Sequence, residues 1–337
     1  MNDLFLLSRK VCSGLLLPSQ LKNILCIINN MKIIVTGGAG FIGSHLSTKL
    51  VQDNHEVIIL DNLHTGNISN IENIKNSVKF YQKNVGEIST IKEQDIDLIF
   101  HYGVPSSTPM YKENRHITSK AVDEFVSILE FAKDKNAKIV LSSSSSLYNG
   151  QKEPFNENMS IGVSDFYTEA RFYMERLAKL YSDLYGVKSV CLRNFSIYGS
   201  NELYKKNYAN IISQFIWSFL KNESPVIYGD GSQTRDFVYV DDAVEAAILA
   251  MKYNKKNFDI FNVGTGKSHT FKEIVKLVQN KIGSTIEPIY IKNQISNYVY
   301  NTKADTTYTE QFLNFKSKIN VEEGIEKLLA YYKVNKL

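Results

Sequence analysis

The sequence predicts an α/β protein with a doubly wound parallel sheet and a smaller, interleaved C-terminal α/β lobe. Apolar runs too short for helices alternate with amphipathic segments of helical length, which is typical of a parallel sheet covered on both faces. A glycine-rich turn joins the first run to the first helical segment. The chain has 337 residues, 43% of them hydrophobic and 22% charged, so it is long enough for two domains of ordinary globular composition.

The first half of the chain contains most of the predicted sheet. Its strands are expected at Lys32–Thr36, Val57–Leu60, Val78–Tyr81, Asp97–Phe100, Lys138–Leu141 and Val187–Leu192. Helical spacing predicts helices over Phe41–Val51, 116–134 and Asp165–Tyr185, and Gly186 stands where the last of these would be capped. Beyond residue 200 we expect helices at 207–221, 239–253, 270–282 and 320–333 around short strands near 226–228 and 258–262.

Residues 1–30 form an N-terminal extension of uncertain structure. Their apolar clusters are interrupted by Lys, Arg, Ser and Pro18, and no apolar run approaches the ~20 residues that a membrane-spanning helix needs. Neither a transmembrane segment nor a signal peptide is therefore predicted. An upstream-extended start, a loosely attached helix, and a helix that binds a partner or a membrane surface stay open.

The charge and the cysteine content exclude several classes of protein. A net charge of +4 without a basic stripe argues against nucleic-acid binding. The three cysteines, Cys12, Cys26 and Cys191, are too scattered for a disulfide framework or a zinc site, so we expect a reducing, cytoplasmic location. None of the six histidines has the spacing of a metal ligand, and no catalytic metal is predicted.

The glycine-rich turn is the first chemical signal. Gly37, Gly40 and Gly43 follow a strand and open a helix, where a pyrophosphate can approach the backbone and the helix N-terminus. Asp61 lies 18 residues beyond Gly43, at the end of the second strand, and can accept the ribose hydroxyls of NAD while repelling the 2′-phosphate of NADP. An ordinary strand–helix turn with a solvated aspartate is the alternative. We assign residues 31–195 to an NAD-binding domain and 196–337 mainly to a substrate lobe, with some segments returning to the first sheet.

Seven segments together resemble the extended short-chain dehydrogenase/reductase family, most closely its nucleotide-sugar epimerases of the UDP-glucose 4-epimerase type. They are Met31–Leu50, Asp61–Gly66, His101–Gly103, Ser142–Tyr148, Leu192–Gly199, Gly229–Asp242 and Phe261–Gly266. The resemblance implies a Rossmann-type sheet, NAD as cofactor and a nucleotide-diphosphate sugar as substrate. It implies cofactor contacts from Gly37, Gly40, Phe41, Ile42, Gly43, Asp61, Asn62, Asn84, Val85, Tyr102, Gly103, Ser142, Tyr167 and Arg171.

The family removes the proton of a sugar hydroxyl with a Tyr-x-x-x-Lys pair on one helix face. A free tyrosine, with a pKa of about 10, is a poor base at neutral pH unless a nearby cation favours its ionised form. The matching residues are Tyr167 and Arg171, so arginine replaces the family's lysine, and we expect activity to survive this replacement. Tyr148 and Lys152 also fit the spacing, but a nearby glycine and proline argue against a helix there. A third interpretation is that the chain has no catalytic pair and that Tyr167 only packs against neighbouring residues.

Ser144 matches the family's serine or threonine that hydrogen-bonds the reacting sugar oxygen. Dehydratases and decarboxylases of the family carry acidic residues just after that position, where this chain has Ser145 and Ser146. The resemblance therefore implies reversible oxidation and reduction at one carbon. Arg235 resembles the family's diphosphate-binding arginine, with an ion pair to Asp236 as the alternative.

Three departures from the family leave the sugar and the nucleotide open. Ser196 stands where 4-epimerases often have asparagine, yet we expect it to contact the substrate. A second arginine expected shortly before Lys303–Asp305 is replaced within Asn297–Asn301. Asn84 stands where an aspartate often touches adenine.

We therefore expect NAD-dependent epimerisation of a nucleotide-diphosphate sugar at C4 through a transient 4-keto intermediate, as between UDP-glucose and UDP-galactose. A nucleotide-sugar dehydratase, decarboxylase or reductase of the same family, and a catalytically idle NAD-binding protein, stay open. The resemblance also implies a homodimer formed through the helices at 116–134 and 165–185.

Overall fold

The computed structural model of the chain describes residues 30–293 and 297–335. The expectation for residues 1–30 lies outside the described residues, apart from Asn30. The strands are β1 (Lys32–Thr36), β2 (Glu56–Leu60), β3 (Val78–Tyr81), β4 (Leu98–His101), β5 (Lys138–Ser144), β6 (Ser189–Asn194), β7 (Ser196–Tyr198), β8 (Val226–Tyr228), β9 (Thr234–Arg235), β10 (Phe237–Tyr239), β11 (Phe258–Val263), β12 (His269–Thr270) and β13 (Ile289–Ile291). The α-helices are α1 (Phe41–Gln52), α2 (Thr108–Glu113), α3 (His116–Lys135), α4 (Phe166–Tyr185), α5 (Ile211–Leu220), α6 (Val240–Lys252), α7 (Phe271–Ile282), α8 (Thr307–Leu313) and α9 (Val321–Val334).

Seven parallel strands form the central sheet in the order β11-β6-β5-β4-β1-β2-β3. Strand β1 lies between β4 and β2, so that Ile34 pairs with Ile99 on one side and with Ile58 on the other. The chain adds β2 and β3 on one side of β1 and then β4, β5 and β6 on the other. A crevice opens where this order reverses, at the carboxyl ends of β1 and β4. The predicted Rossmann-type sheet is confirmed.

Alternation along β1 sends its side chains into two hydrophobic cores. Ile33 and Val35 pack on one face with Leu46 of α1, whereas Ile34 packs on the other face with Phe125 of α3. Helices α1 and α6 contact each other over the first face, and α3 and α4 cover the second. Because both faces are covered, the central strands are apolar along most of their length.

Helix α4, which carries the expected catalytic pair, has sharply defined ends. Asp165 caps its N-terminus, since Oδ1 accepts the N–H of Thr168 at 2.8 Å. Gly186 ends the helix in the left-handed conformation, with φ of 72°. The predicted helix and its C-cap are confirmed.

The second half of the chain is partly a separate lobe and partly an addition to the sheet. Strand β11 pairs with β6 in the central sheet, and α6 packs against α1. The ribbons β7–β10, β8–β13 and β9–β12 lie outside that sheet, and α5 packs against α7. The division of the chain at residue 195 stays a prediction. In the part of the chain that the structure describes, no helix combines the length and apolar character needed to cross a bilayer.

Candidate active site

A cleft opens at the carboxyl ends of β1, β2, β4 and β5, where the strand order reverses. Of the expected cofactor contacts, only Asn84 and Tyr167 are not among its lining residues. The others line it together: Gly37, Gly40, Phe41, Ile42, Gly43, Asp61, Asn62, Val85, Tyr102, Gly103, Ser142 and Arg171. The structure thus gathers in one cleft most of the residues that the resemblance assigned to NAD.

Close backbone packing explains the glycines of the turn. Gly37 has a φ of +69°, and a Cβ there would lie 2.7 Å from the amide nitrogen of Gly103. A Cβ on Gly43 would lie 2.0 Å from the carbonyl oxygen of Gly37. Gly40 is the N-cap of α1, so the positive end of the helix dipole faces the cleft. This cradle fits the pyrophosphate of a dinucleotide.

Asp61 is held at the end of β2 with its carboxylate beside the turn. Oδ2 accepts the N–H of Ala39 at 2.9 Å, and Oδ1 accepts the N–H of Leu63 at 2.8 Å. Burial raises the pKa of Asp61, and the backbone N–H groups of Leu63, Ala39 and Gly40 oppose that shift. A carboxylate fixed at this point fits the ribose diol of NAD and disfavours a 2′-phosphate.

Asn84 does not line the cleft but forms a hydrogen bond with Asn62, which does. The Nδ2 of Asn62 donates to the Oδ1 of Asn84 at 3.1 Å. The backbone N–H of Asn84 donates to Glu87 at 2.9 Å, within the capping box of the 3-10 helix Val85–Thr90. Asn84 therefore fixes the side chain of Asn62, which lines the cleft.

Arg171 reaches the cleft from α4 and is held by two backbone carbonyls, one in β5 and one in the loop that follows β4. Its Nη1 donates to the carbonyl of Ser142 at 2.5 Å, and its Nη2 donates to that of Pro105 at 3.1 Å. The residue is buried, and its Nε–H has no hydrogen-bond acceptor among the described residues. A buried, unpartnered N–H calls for an acceptor, and a ribose hydroxyl of the cofactor would supply one.

Tyr167 lies one helical turn before Arg171, and the guanidinium carbon is 5.2 Å from the centre of its ring. The ring packs edge-on against Tyr111 of α2, with 5.4 Å between the ring centres. Tyr167 is 6% exposed and also contacts the apolar group around Met110. Neither α2 nor Tyr111 is predicted from the sequence, although Pro109, in the first turn of that short helix, is a signal for it.

The serine run continues β5 to the edge of the site. Ser142 and Ser144 share one face of the strand, because side chains alternate along it. The Oγ of Ser142 accepts from Asn194 at 3.0 Å, and the Oγ of Ser144 accepts the N–H of Ser146 at 3.1 Å. Ser144 is not among the residues that line the dinucleotide cleft. Helix α4, however, packs against β5 and against the 3-10 helix that follows it.

Tyr148, the alternative base, is completely buried. Its hydroxyl donates to Oδ1 of Asn262 at 2.7 Å and accepts from Nη1 of Arg193 at 2.8 Å. Arg193 also forms a buried ion pair with Glu175 of α4, at 2.8 Å. Residues 149–152 are not helical, so Tyr148 and Lys152 share no helix face. This network ties α4 to β6 and β11.

His101 is a further buried residue beside the cleft. No role for its side chain is predicted from the sequence. Its Nδ1 lies 2.8 Å from the hydroxyl of Thr36, which also accepts the N–H of Gly103 at 3.0 Å. Burial, with a smaller contribution from Arg171, lowers the pKa of His101 to about 3, so the ring is neutral. It stacks on Phe125 and steadies the backbone that meets the glycine turn. Within the described residues, no three His, Cys, Asp or Glu side chains form a group that could hold a metal ion.

Arg235 lies in the smaller lobe between two aromatic rings. Its guanidinium carbon is 5.4 Å from the ring centres of both Phe271 and Tyr298. Its Nη1 donates to the carbonyls of Thr234 and Tyr300 at 2.7 Å and 3.0 Å. Burial lowers the pKa of Arg235. The two rings and the two carbonyls fix the orientation of the Arg235 guanidinium. None of these four residues lines the dinucleotide cleft.

The alternative interpretation of Arg235, an ion pair with Asp236, is wrong. The buried carboxylate of Asp236 instead accepts the N–H groups of Thr265 and Gly266, at 2.8 Å and 2.9 Å. The arginine is therefore free of that carboxylate. Ser196, also expected to contact the substrate, accepts from Nδ2 of Asn210 at 3.0 Å.

Comparison with known proteins agrees with this geometry. Residues 33–264 match the family described as "NAD dependent epimerase/dehydratase family". A relative from Methanocaldococcus jannaschii, named "Putative UDP-glucose 4-epimerase", is 36% identical over 312 residues, which are 90% of this chain and 99% of that protein. UDP-glucuronic acid decarboxylase 1 from Danio rerio is 30% identical over 308 residues, 89% of this chain and 72% of that protein. The crystal structure of UDP-glucose 4-epimerase from Thermotoga maritima with UDP-glucose has a TM-score of 0.83 at 28% identity and covers 90% of this chain and 99% of that one.

These similarities extend over most of the chain and confirm the family resemblance. The family description names NAD, and the cleft fits a dinucleotide, so the predicted cofactor is confirmed. The protein is an enzyme of the group that comprises nucleotide-sugar epimerases, dehydratases and decarboxylases. The chain belongs to the NAD-dependent epimerase/dehydratase family.

Proposed function

We propose that the protein inverts C4 of a nucleotide-diphosphate sugar, of the UDP-glucose/UDP-galactose type, through a transient 4-keto sugar. The observation that carries the proposal is the bridge made by Arg171. Its guanidinium lies over the ring of Tyr167 and is bonded to the carbonyl of Ser142, two residues before Ser144. Tyr167 and Arg171 thus form one packed unit, which Arg171 joins to the strand that carries Ser144.

Each residue of this unit has a distinct chemical task. The Tyr167 oxygen removes the proton of the C4 hydroxyl, and the Ser144 hydroxyl donates a hydrogen bond to the ketone as it forms. Arg171 places a permanent positive charge beside the ring of Tyr167, and its Nε–H orients the cofactor ribose. NAD held in the cleft by the glycine turn and Asp61 would supply a reversible hydride acceptor for C4.

The residues after Ser144 favour epimerisation over elimination or decarboxylation. Ser145 and Ser146 occupy the positions where the dehydratases and decarboxylases that the chain resembles carry acidic groups. A hydroxyl is a far weaker acid or base than a carboxyl group near neutral pH. The similarity to the named 4-epimerases of Methanocaldococcus jannaschii and Thermotoga maritima supports the same reaction.

The diphosphate of the substrate is assigned to Arg235. A planar guanidinium held between two rings is preorganised for bidentate contact with phosphate oxygens. Because Arg235 forms no ion pair with Asp236, the positive charge of the arginine is available to the ligand. Ser196 and its partner Asn210 lie near the start of the lobe and are assigned to the same substrate.

A second candidate reaction is decarboxylation of a nucleotide-linked uronic acid. The 30% identity to UDP-glucuronic acid decarboxylase 1 from Danio rerio favours it. It would begin with the same oxidation at C4, so Tyr167 and Arg171 keep their roles. The two candidates differ in the product.

The test uses three substrates and one readout. The full-length protein is incubated separately with UDP-glucose, UDP-N-acetylglucosamine and UDP-glucuronate, and the products are resolved by proton NMR, with Tyr167→Phe as the control. A C4-inverted sugar that forms with the wild type and not with the variant supports the proposal. Carbon dioxide and a UDP-pentose from UDP-glucuronate would establish the second candidate. No product from any of the three would contradict both.

We also infer a homodimer and a cytoplasmic location. Helix α4 carries an exposed apolar stripe: Phe166, Tyr173, Leu180 and Leu184, exposed by 45%, 45%, 49% and 67%. The spacing of seven, seven and four residues places them on one helix face. A second copy of the chain, packed through α3 and α4, would bury this stripe. The single described cysteine, Cys191, is a buried free thiol, which fits a reducing compartment.

A further inference from the structure

The segment Leu203–Tyr208 consists of 3-10 turns interrupted by a kink at Lys206, and its Lys205 lines the NAD cleft. The segment has no role in the proposed reaction. At one end, the hydroxyl of Ser69 donates to that of Tyr204 at 3.1 Å. At the other end, the hydroxyl of Tyr208 donates to Oε2 of Glu113 at 2.7 Å. The segment is therefore tied at two places through tyrosine hydroxyls.

These two ties lie on opposite flanks of the crevice. Ser69 belongs to the connection that follows β2, and Glu113 ends the helix that follows β4. Strands β2 and β4 lie on opposite sides of β1. Tyr208 also packs against the apolar group that contains Tyr167. The segment therefore spans from the Asp61 side of the crevice to the side of the expected catalytic base.

Between the ties, Lys205 lies at the N-terminus of α1. Its Nζ is 5.2 Å from the ring centre of Phe41, and it lines the same cleft as Gly40 and Gly43. The positive end of a helix dipole repels a cation. A lysine held at this point is therefore stabilised when an anion lies between it and the helix, as a pyrophosphate would.

Lys205 is held in place without using all its hydrogen-bond donors. Its Nζ lies 3.2 Å from Oε1 of Glu202, which is fully buried. Glu202 also accepts the N–H of Asn210 at 3.0 Å and the hydroxyl of Ser213 at 2.5 Å. An ammonium has three N–H donors, so others are available to a phosphate oxygen. Because the Glu202 carboxylate accepts hydrogen bonds from Asn210 and Ser213, it anchors the segment to α5.

We propose that Glu202–Tyr208 is a strap that closes over bound NAD, with Lys205 contacting the pyrophosphate and the hydroxyls of Tyr204 and Tyr208 holding the strap shut. The strap adds a cofactor contact from the smaller lobe and limits the escape of NAD. The inference requires NAD binding and is independent of which sugar is converted.

The first test measures Lys205→Met against Lys206→Met, an exposed neighbour. Dissociation constants for NAD, ADP and adenosine are measured by calorimetry on the full-length chain freed of nucleotide. Lys205→Met should weaken NAD and ADP about tenfold, as for loss of a charged hydrogen bond, and leave adenosine within about twofold, with Lys206→Met unchanged. An unchanged affinity for NAD, or an equal loss for adenosine, would overturn the pyrophosphate contact.

The second test asks whether the hydrogen bonds of Tyr204 and Tyr208 slow the dissociation of NAD. The double variant Tyr204→Phe/Tyr208→Phe keeps both rings and removes both hydroxyls, and Tyr290→Phe, at an exposed position of β13, is the control. The dissociation rate of NAD, followed by a chase with labelled NAD, should rise about fivefold in the double variant alone. A rate equal to that of the wild type would overturn the strap. A protein that passes both tests but inverts no sugar would keep the strap and lose the proposed reaction.

Discussion

The guanidinium of Arg171 lies over the ring of Tyr167, 5.2 Å from its centre, while its two η nitrogens donate to the carbonyls of Ser142 and Pro105. One side chain therefore links the expected base on α4 to β5 and to the loop that follows β4. A lysine has a single ammonium in place of this planar fork, so it would not hold both carbonyls in the same geometry. The arginine thus serves as a structural clamp as well as a charge.

Removing the phenolic oxygen of Tyr167 should abolish most of the activity and preserve the fold. We expect Tyr167→Phe to lower kcat by about 10²- to 10⁴-fold, the usual contribution of a general base. Bound NAD, measured by absorbance after denaturation, should stay near the wild-type amount. Tyr173→Phe, on the exposed part of the same helix, is the matched control. Turnover of Tyr167→Phe at the wild-type rate would show that this residue is not the base.

Substitutions at Arg171 should separate its charge from its shape. Arg171→Met should lower kcat about 100-fold or more, because the site loses its cation. Arg171→Lys should keep measurable activity, since a lysine occupies this position in the family that the chain resembles. Arg176→Lys, exposed on the same helix, should change nothing. If Arg171→Lys instead activates an otherwise inactive protein, the chain is the idle NAD-binding protein.

The affinity for NAD should fall as the pH is lowered. Burial raises the pKa of Asp61, so this carboxylate takes up a proton at a higher pH than an exposed aspartate does. Ribose binding is present above that pKa and is lost as the pH falls through it. The unliganded fold responds oppositely, because a folded-state pKa above that of the unfolded chain makes protonation stabilising.

Calorimetry with NAD from about pH 3.5 to pH 7 checks this dependence, since the range begins near the ordinary aspartate pKa of about 3.9 and extends above it. Asp61→Asn should bind NAD weakly and with a flatter pH profile. An equal pH dependence in the wild type and the variant would assign the effect to another group.

The buried pair of Glu175 and Arg193 should be a major support of the site. Arg193→Met would leave the Glu175 carboxylate buried without its cation, which we expect to lower the free energy of unfolding by about 3–5 kcal/mol. Lys179→Met breaks a half-exposed pair with Asp183 on the same helix and should cost less than about 1 kcal/mol. Urea denaturation compares the two, and equal losses would contradict the role assigned to the buried pair.

The apolar stripe of α4 should control assembly. Leu184→Glu places a charge on its most exposed member and should shift the protein from dimer to monomer in sedimentation velocity. Leu203→Glu, at an exposed position outside α4, should leave the dimer intact. A wild-type protein that is monomeric at all concentrations would contradict the inferred dimer.

Local spacing was enough to predict much of the fold, the glycine turn and Asp61, whereas the other cofactor contacts came from the family resemblance. β1 and β3 have the predicted bounds, because short apolar runs beside turns are strong strand signals. β5 was predicted only to Leu141, whereas it continues to Ser144 because its serines still pair with β6. Polar residues at a strand end carry no apolar signal, although these are the ones that reach the site.

Contacts between distant segments could not be predicted. The Pro105 carbonyl that holds Arg171, and the Tyr111 ring that packs against Tyr167, come from a connection some 60 residues earlier in the chain. The tie between Ser69 and Tyr204 joins residues still further apart. Such contacts depend on the three-dimensional course of loops, which periodicity does not encode.

The central claim is that hydride leaves C4 and returns to C4 within one turnover. UDP-glucose deuterated at C4 tests it directly, with the product analysed by NMR and mass spectrometry. We predict UDP-galactose that keeps the deuterium at C4. A C4-inverted product that has lost the deuterium to solvent, or the absence of any C4-inverted product, would contradict the account.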